Sequence, residues 1–103
     1  MITFVLALAL APNPAIIDAP RRSFQACLRT FEGNQRAAKV AADAYATAVK
    51  TACSAEAQAL TDALVKFDTA MGTKRPTALS NAARDVDDYR LTSEERYRDL
   101  MSN

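Results

Sequence analysis

Cys27 and Cys53 are the only cysteines in this 103-residue chain, and together they constrain its fold more than any other feature. Each lies on an apolar stripe of helical period. Phe24, Cys27, Leu28 and Phe31 follow at i, i+3, i+4 and i+7, while Arg21, Arg22, Gln25, Arg29 and Glu32 fall off that stripe. Further on, Tyr45, Val49, Cys53, Ala57, Leu60, Leu64, Phe67 and Met71 recur in steps of three or four. They run among twelve alanines between Ala37 and Ala63. This predicts a long amphipathic helix ending near Gly72. Both thiols then face one core and are expected to pair; the alternatives are two unpaired buried thiols or, less in keeping with the absence of Cys-x-x-Cys, a redox pair.

Pairing constrains the path of the chain. Gly33-Asn34 reads as a helix stop, because glycine readily takes the left-handed conformation at a helix end. A tight hairpin there would leave Cys27 roughly 9 Å and Cys53 roughly 27 Å from the turn, at about 1.5 Å per residue. Bridged Cα atoms must lie within about 7 Å. The two features are therefore incompatible, and the reversal has to fall near Val40, midway between the cysteines. Either the first helix continues past Gly33, or residues 33–41 form a loop and the next helix begins at Ala42 or Asp43. The second reading is preferred, since Asp43 suits a first turn. A bridge closing a loop of this length stabilises the fold by about 3 kcal/mol in the chain-entropy view.

An oxidising compartment is implied by the other end of the chain. Ile2 to Ala11 is an uncharged apolar run, of the length of a signal-peptide core and too short to span a bilayer. Small residues at Ala7, Ala9 and Ala11 suit a signal peptidase, with Ala9 the better site because Pro12 hinders cleavage after Ala11. No Lys or Arg precedes the run; a buried N-terminal helix or strand and an uncleaved tether are the alternatives. Pro12, Pro14 and Pro20 are expected to form a stiff non-helical spacer, with Pro20 in the first turn of the first helix. Residues 1–19 are thus a signal-like segment and spacer, and 20–103 one helical domain.

After the polar link 73–76, a third helix is expected to about Arg90. Leu79, Ala82, Ala83, Val86 and Tyr89 should face inward, with Arg84 and Asp88 paired. Thr92 and Glu95 read as a capping box opening a short last helix that buries Tyr97, Leu100 and Met101. The fold class is all-α: a small antiparallel bundle of three to four helices, the first two stapled by Cys27 and Cys53.

The residues Phe24-Gln25-Ala26-Cys27 and Ala48-Val49-Lys50-Thr51-Ala52-Cys53, on an alanine-rich frame from Phe24 to Phe67, resemble small secreted or periplasmic helical proteins of Gram-negative bacteria. In those proteins a cysteine pair joins two helices. The resemblance implies a location and a staple; it carries no activity, cofactor or site residue.

Catalytic equipment is sparse. The chain has no histidine, which removes the commonest general base and metal ligand and rules out a Ser-His-Asp arrangement. Gly33 and Gly72 stand alone, so there is no phosphate-cradling loop. Asp85, Asp87 and Asp88 form the densest acidic cluster and read as a solvated helix face. A net charge of +1 gives no case for nucleic acid. Lys74 and Arg75, with Arg21 and Arg22, are the cations placed to meet anionic lipid or cell-wall polymer. The expectation is a non-enzymatic helical interaction or structural protein of the cell envelope, periplasmic or secreted. It needs no cofactor or metal, has no membrane span once processed, and pairs with itself or with an envelope protein. The alternative is a small thiol-redox or carboxylate enzyme built on Cys27 and Cys53 or on Asp85 to Asp88.

Overall fold

The structure, a computed structural model, describes residues 12–102; the apolar run Ile2–Ala11 lies outside them. Helix α1 spans Ala15–Ala37, α2 Ala42–Ala48, α3 Ser54–Ala70 and α4 Arg75–Met101, with a short 3₁₀ turn at Val49–Thr51 joining α2 toward α3. All regular structure among the described residues is helical, as the alanine content and periodicity predict.

Asn13-Pro14 opens α1. The Asn13 side-chain oxygen accepts the Ala15 N–H at 3.0 Å, and the Asn13 and Pro14 carbonyls accept the N–H groups of Ile16 and Ile17. The helix therefore starts five residues ahead of Pro20, which sits inside it; the expectation of a non-helical spacer up to Pro20 is corrected. Ile17, buried in the core, supplies the reason, since its burial outweighs the one ladder bond that Pro20 cannot make.

At the other end α1 runs through Gly33 and stops at Ala37. The left-handed residue that ends it is Lys39, with φ 56°, and the Lys39 and Val40 N–H groups close onto the carbonyls of Arg36 and Gln35. The loop expected over 33–41 is thus confined to residues 38–41. The reversal still falls at Val40 and α2 still begins at Ala42, so the distance argument from the cysteines holds. Gly33 is an ordinary exposed helical residue with nothing within 4 Å of where a Cβ would stand. Gly33→Ala is expected to stabilise the protein by about 0.5–1 kcal/mol, read as a raised midpoint in urea; a lowered midpoint would contradict the helical assignment.

The long helix expected from Ala42 to Met71 is broken. Ala52 is extended and Cys53 is left-handed at φ 58°, so α2 and α3 are separate. The Arg90 guanidinium covers the break: its Nη2 donates to the Ala52 carbonyl at 2.7 Å, and its Cζ lies 5.5 Å from the centroid of the Phe24 ring. After the turn at Gly72, α4 continues unbroken through Thr92. The third helix expected to Arg90 and the last one from Thr92 are one helix, and the capping box is not formed. No Gly or Pro interrupts residues 77–101, and the buried stripe of Ala78, Ala82, Val86, Ser93 and Tyr97 crosses the supposed boundary without a break.

The result is a bundle of three rods: α1, then α2 and α3 together running back along it, then α4. The core is made of Phe24 and Leu28 from α1, Tyr45 and Val49 around α2, Leu60 and Leu64 from α3, and Val86 and Tyr97 from α4. Leu79, Leu100 and Met101, expected inside, are exposed, as is Ala83; Ala78 takes the inward position instead. Among the described residues no helix is long and apolar enough to cross a membrane.

Candidate functional site

The predicted staple is formed. Cys27 on α1 and Cys53 at the head of α3 are bonded, with Cα atoms 6.0 Å apart and a sequence separation of 26. Both sulfurs are consumed, and no free cysteine remains among the described residues. Beside the bond lies an open groove of about 630 Å³, lined by Ala26, Cys27, Phe31, Ala52, Cys53 and Glu56 among others.

The second constellation was not legible as a site. Glu32, placed off the apolar stripe by the sequence, is only 4 % exposed, and Ser93 is fully buried. The Ser93 hydroxyl donates to Glu32 Oε2 at 2.7 Å. Its single proton is thereby committed, so in the 2.7 Å contact between Tyr45 and Ser93 the tyrosine is the donor. Arg96 completes a bidentate pair: Nε donates to Glu32 Oε1 at 2.7 Å, and Nη2 donates to Oε2. Tyr45 and Tyr97 stack face to face, ring centroids 3.8 Å apart, and the Tyr97 hydroxyl donates to the Val40 carbonyl. One connected group therefore ties α1, the 38–41 turn, α2 and α4 at one end of the bundle.

Its electrostatics follow from that geometry. Burial works against a charge on Glu32, but the hydrogen bonds from Arg96 and Ser93, with the Arg96 charge, outweigh it and hold the carboxyl below its ordinary value. The hydrogen bond to Glu32 raises the Arg96 guanidinium further above neutrality. Burial raises the Tyr45 phenol. Glu32 is thus an ionised acceptor with its oxygens occupied by protein donors, and this group is built to hold helices together. Tyr97→Phe removes one donor and leaves the Val40 carbonyl without it. A loss of about 1 kcal/mol is expected in urea unfolding, with the ring stack kept; no loss would mean water replaces the phenol at no cost.

The remaining sequence candidates stay apart from both groups. Asp85, Asp87 and Asp88 are exposed; Asp85 and Asp88 line a shallow cleft with Arg21, Tyr89 and Thr92. Among the described residues no three His, Cys, Asp or Glu side chains gather as a metal site. Among the described residues the Arg84–Asp88 pair does not form, whereas Arg21–Asp18, Arg96–Glu32 and Arg98–Asp43 do. Glu32 and Ser93 had one detectable signal each. Glu32 continues the i, i+4, i+8 series of Phe24 and Leu28, and Ser93 stands four residues before Tyr97 on the stripe of α4. No protein-family model, curated protein or solved structure matches this chain.

Proposed function

We propose that this is an exported, non-enzymatic helical protein of the bacterial cell envelope, whose work is interaction or support rather than chemistry. The Cys27–Cys53 bond carries the reading: such bonds persist in oxidising compartments, and small domains rely on them where core burial is limited. The apolar run Ile2–Ala11 agrees with export. Of the ionisable groups in the core, Glu32 and Tyr45 are bonded to Arg96 and Ser93, which leaves them in a structural role.

The test is intact mass on protein recovered from fractionated cells. Recovery in the periplasmic or secreted fraction, with cleavage after Ala9 or Ala11 and a mass two hydrogens below the reduced chain, is the expected result. Reduced, unprocessed protein in the cytosol would overturn export. Labelling of the native protein with a thiol reagent, without reductant, separates the staple from a redox role: the staple predicts no labelling, whereas rapid labelling of either cysteine would favour a thiol enzyme.

A further inference from the structure

We infer that this chain exchanges α1 with a second copy of itself, the turn at residues 38–41 opening into one continuous helix from α1 through α2. The inference deepens the interaction reading by naming the partner, and rests on it only for the oxidising compartment. The composition of the turn is its first support. Residues 36–42 contain no Gly, Pro, Asn, Asp or Ser, the residues that ordinarily make turns. Alanine, lysine and arginine, which fill the segment around Val40, are strong helix formers. Yet Lys39 is left-handed at φ 56° and Ala41 is extended. A heptad that crosses the turn is the second support. Ile17, Phe24, Phe31, Ala38 and Tyr45 follow at intervals of seven, and Leu28, Gln35, Ala42 and Val49 do the same, four residues later. A seven-residue apolar repeat marks one face of a single helix. A chain that reverses at Val40 has no need to carry that phase from α1 into α2.

The bonds that hold α1 supply the third support, because their other halves all lie beyond the turn. Cys27 is bonded to Cys53, Glu32 accepts from Ser93 and Arg96, and the Phe24 ring meets Tyr89 at 5.9 Å. Each pair forms equally well between copies, with α1 of one chain lying on α3 and α4 of the other. A short connection in an unfavourable conformation is the usual hinge of such an exchange. Opening the hinge gives up the bond from the Tyr97 hydroxyl to the Val40 carbonyl and relieves one left-handed lysine per chain. Oxidation then fixes the outcome. Once Cys27 and Cys53 of one chain are joined, α1 is tied to its own α3 and cannot leave. Chains that are still reduced can exchange, and two Cys27–Cys53 bonds then join the copies. Each bond forms as two thiols give up two hydrogens to a disulfide oxidant, which departs as two thiols.

The experiment oxidises an equal mixture of unlabelled and isotope-labelled full chain, first reduced, with glutathione disulfide at low and high protein concentration. A covalent dimer on a non-reducing gel is expected to rise with concentration. Its linked peptides should join Cys27 of a labelled chain to Cys53 of an unlabelled one, and the reverse. Dimers linked Cys27 to Cys27 or Cys53 to Cys53, or no dimer at high concentration, would overturn the inference. Lys39→Gly accepts the left-handed conformation and weakens the continuous helix; Lys39 is exposed, so the monomer fold should hold. The dimer fraction is expected to fall by about fivefold or more in that variant. Tyr97→Phe removes the bond that closes the turn while keeping the ring stack, so the fraction should rise. A fraction that stays unchanged in Lys39→Gly, or falls in Tyr97→Phe, would overturn the inference too. An exported, oxidised chain that stays monomeric at every concentration would sink only this inference and leave the envelope reading standing.

Discussion

Replacing Glu32 with alanine is expected to destabilise the protein by about 3 kcal/mol, the low end of what breaking a buried pair costs, because Arg96 keeps some contact with water. The change strands three groups. The Arg96 guanidinium loses its counter-charge, the Ser93 hydroxyl loses its acceptor, and Tyr45 then donates to a hydroxyl with no further partner. A loss of this size lowers the melting temperature by roughly 15 °C in a domain this small. Glu32→Gln keeps the shape and removes the charge, so it should fall between. The same carboxylate sets an acid limit. Its folded pKa lies below the ordinary value of 4.5, so the ionised form is favoured by the fold. Its contribution is complete above that ordinary value and is lost as pH falls through the lower folded one. Urea midpoints should therefore drop below about pH 4.5, and the drop should be much reduced in Glu32→Gln. A pH profile identical in wild type and variant would show that the Arg96 pair contributes nothing to acid stability.

Removal of the staple is the second large effect. Cys27→Ser with Cys53→Ser should cost about 3 kcal/mol, as expected for a closed loop of this length. The helices should survive, with far-ultraviolet dichroism near native at low temperature, since Phe24, Leu60 and Val86 still pack. The bond and the Glu32 group constrain the same stretch at different points: Cys53 at its base, and Glu32, Val40 and Tyr45 further on. The two losses should be nearly additive if the sites are independent, and amide exchange over 38–52 should speed up most. A reduced variant as stable as wild type would mean the bridge follows from the fold without supporting it.

Glu32 and Lys39 show how far the sequence reaches. The all-α class, the inward faces of α1 and α3, the cysteine bond and the reversal near Val40 all follow from periodicity and one distance, because large apolar side chains and covalent geometry leave few alternatives. The true stops do not announce themselves. Glycine at 33 is helical, while α1 ends on Lys39 and α3 starts from Cys53, two side chains that rarely take positive φ; local closure of the Lys39 and Val40 N–H groups onto Arg36 and Gln35 accompanies the first, and the bond to Cys27 ties down the second. Glu32 and Ser93 hid for a related reason: a polar residue on a buried stripe looks like solvent-facing surface until its partner is known, and Arg96 is 64 residues away. Thr92 and Glu95 show the reverse error, a local signature of a helix start overridden by the continuous stripe that runs through it.

The position of the Cys27–Cys53 bond also says something about how the molecule is made. Chains are synthesised and delivered from the amino terminus. Both sulfurs, with the second half of α1 and all of α2 between them, leave the ribosome before α4, the rod that supplies Ser93, Arg96 and Tyr97. There is one bond and no rival thiol, so no shuffling step separates oxidation from folding. The first half can be oxidised and wait, with Glu32 and Tyr45 still lacking their partners, until the last rod arrives to cover them.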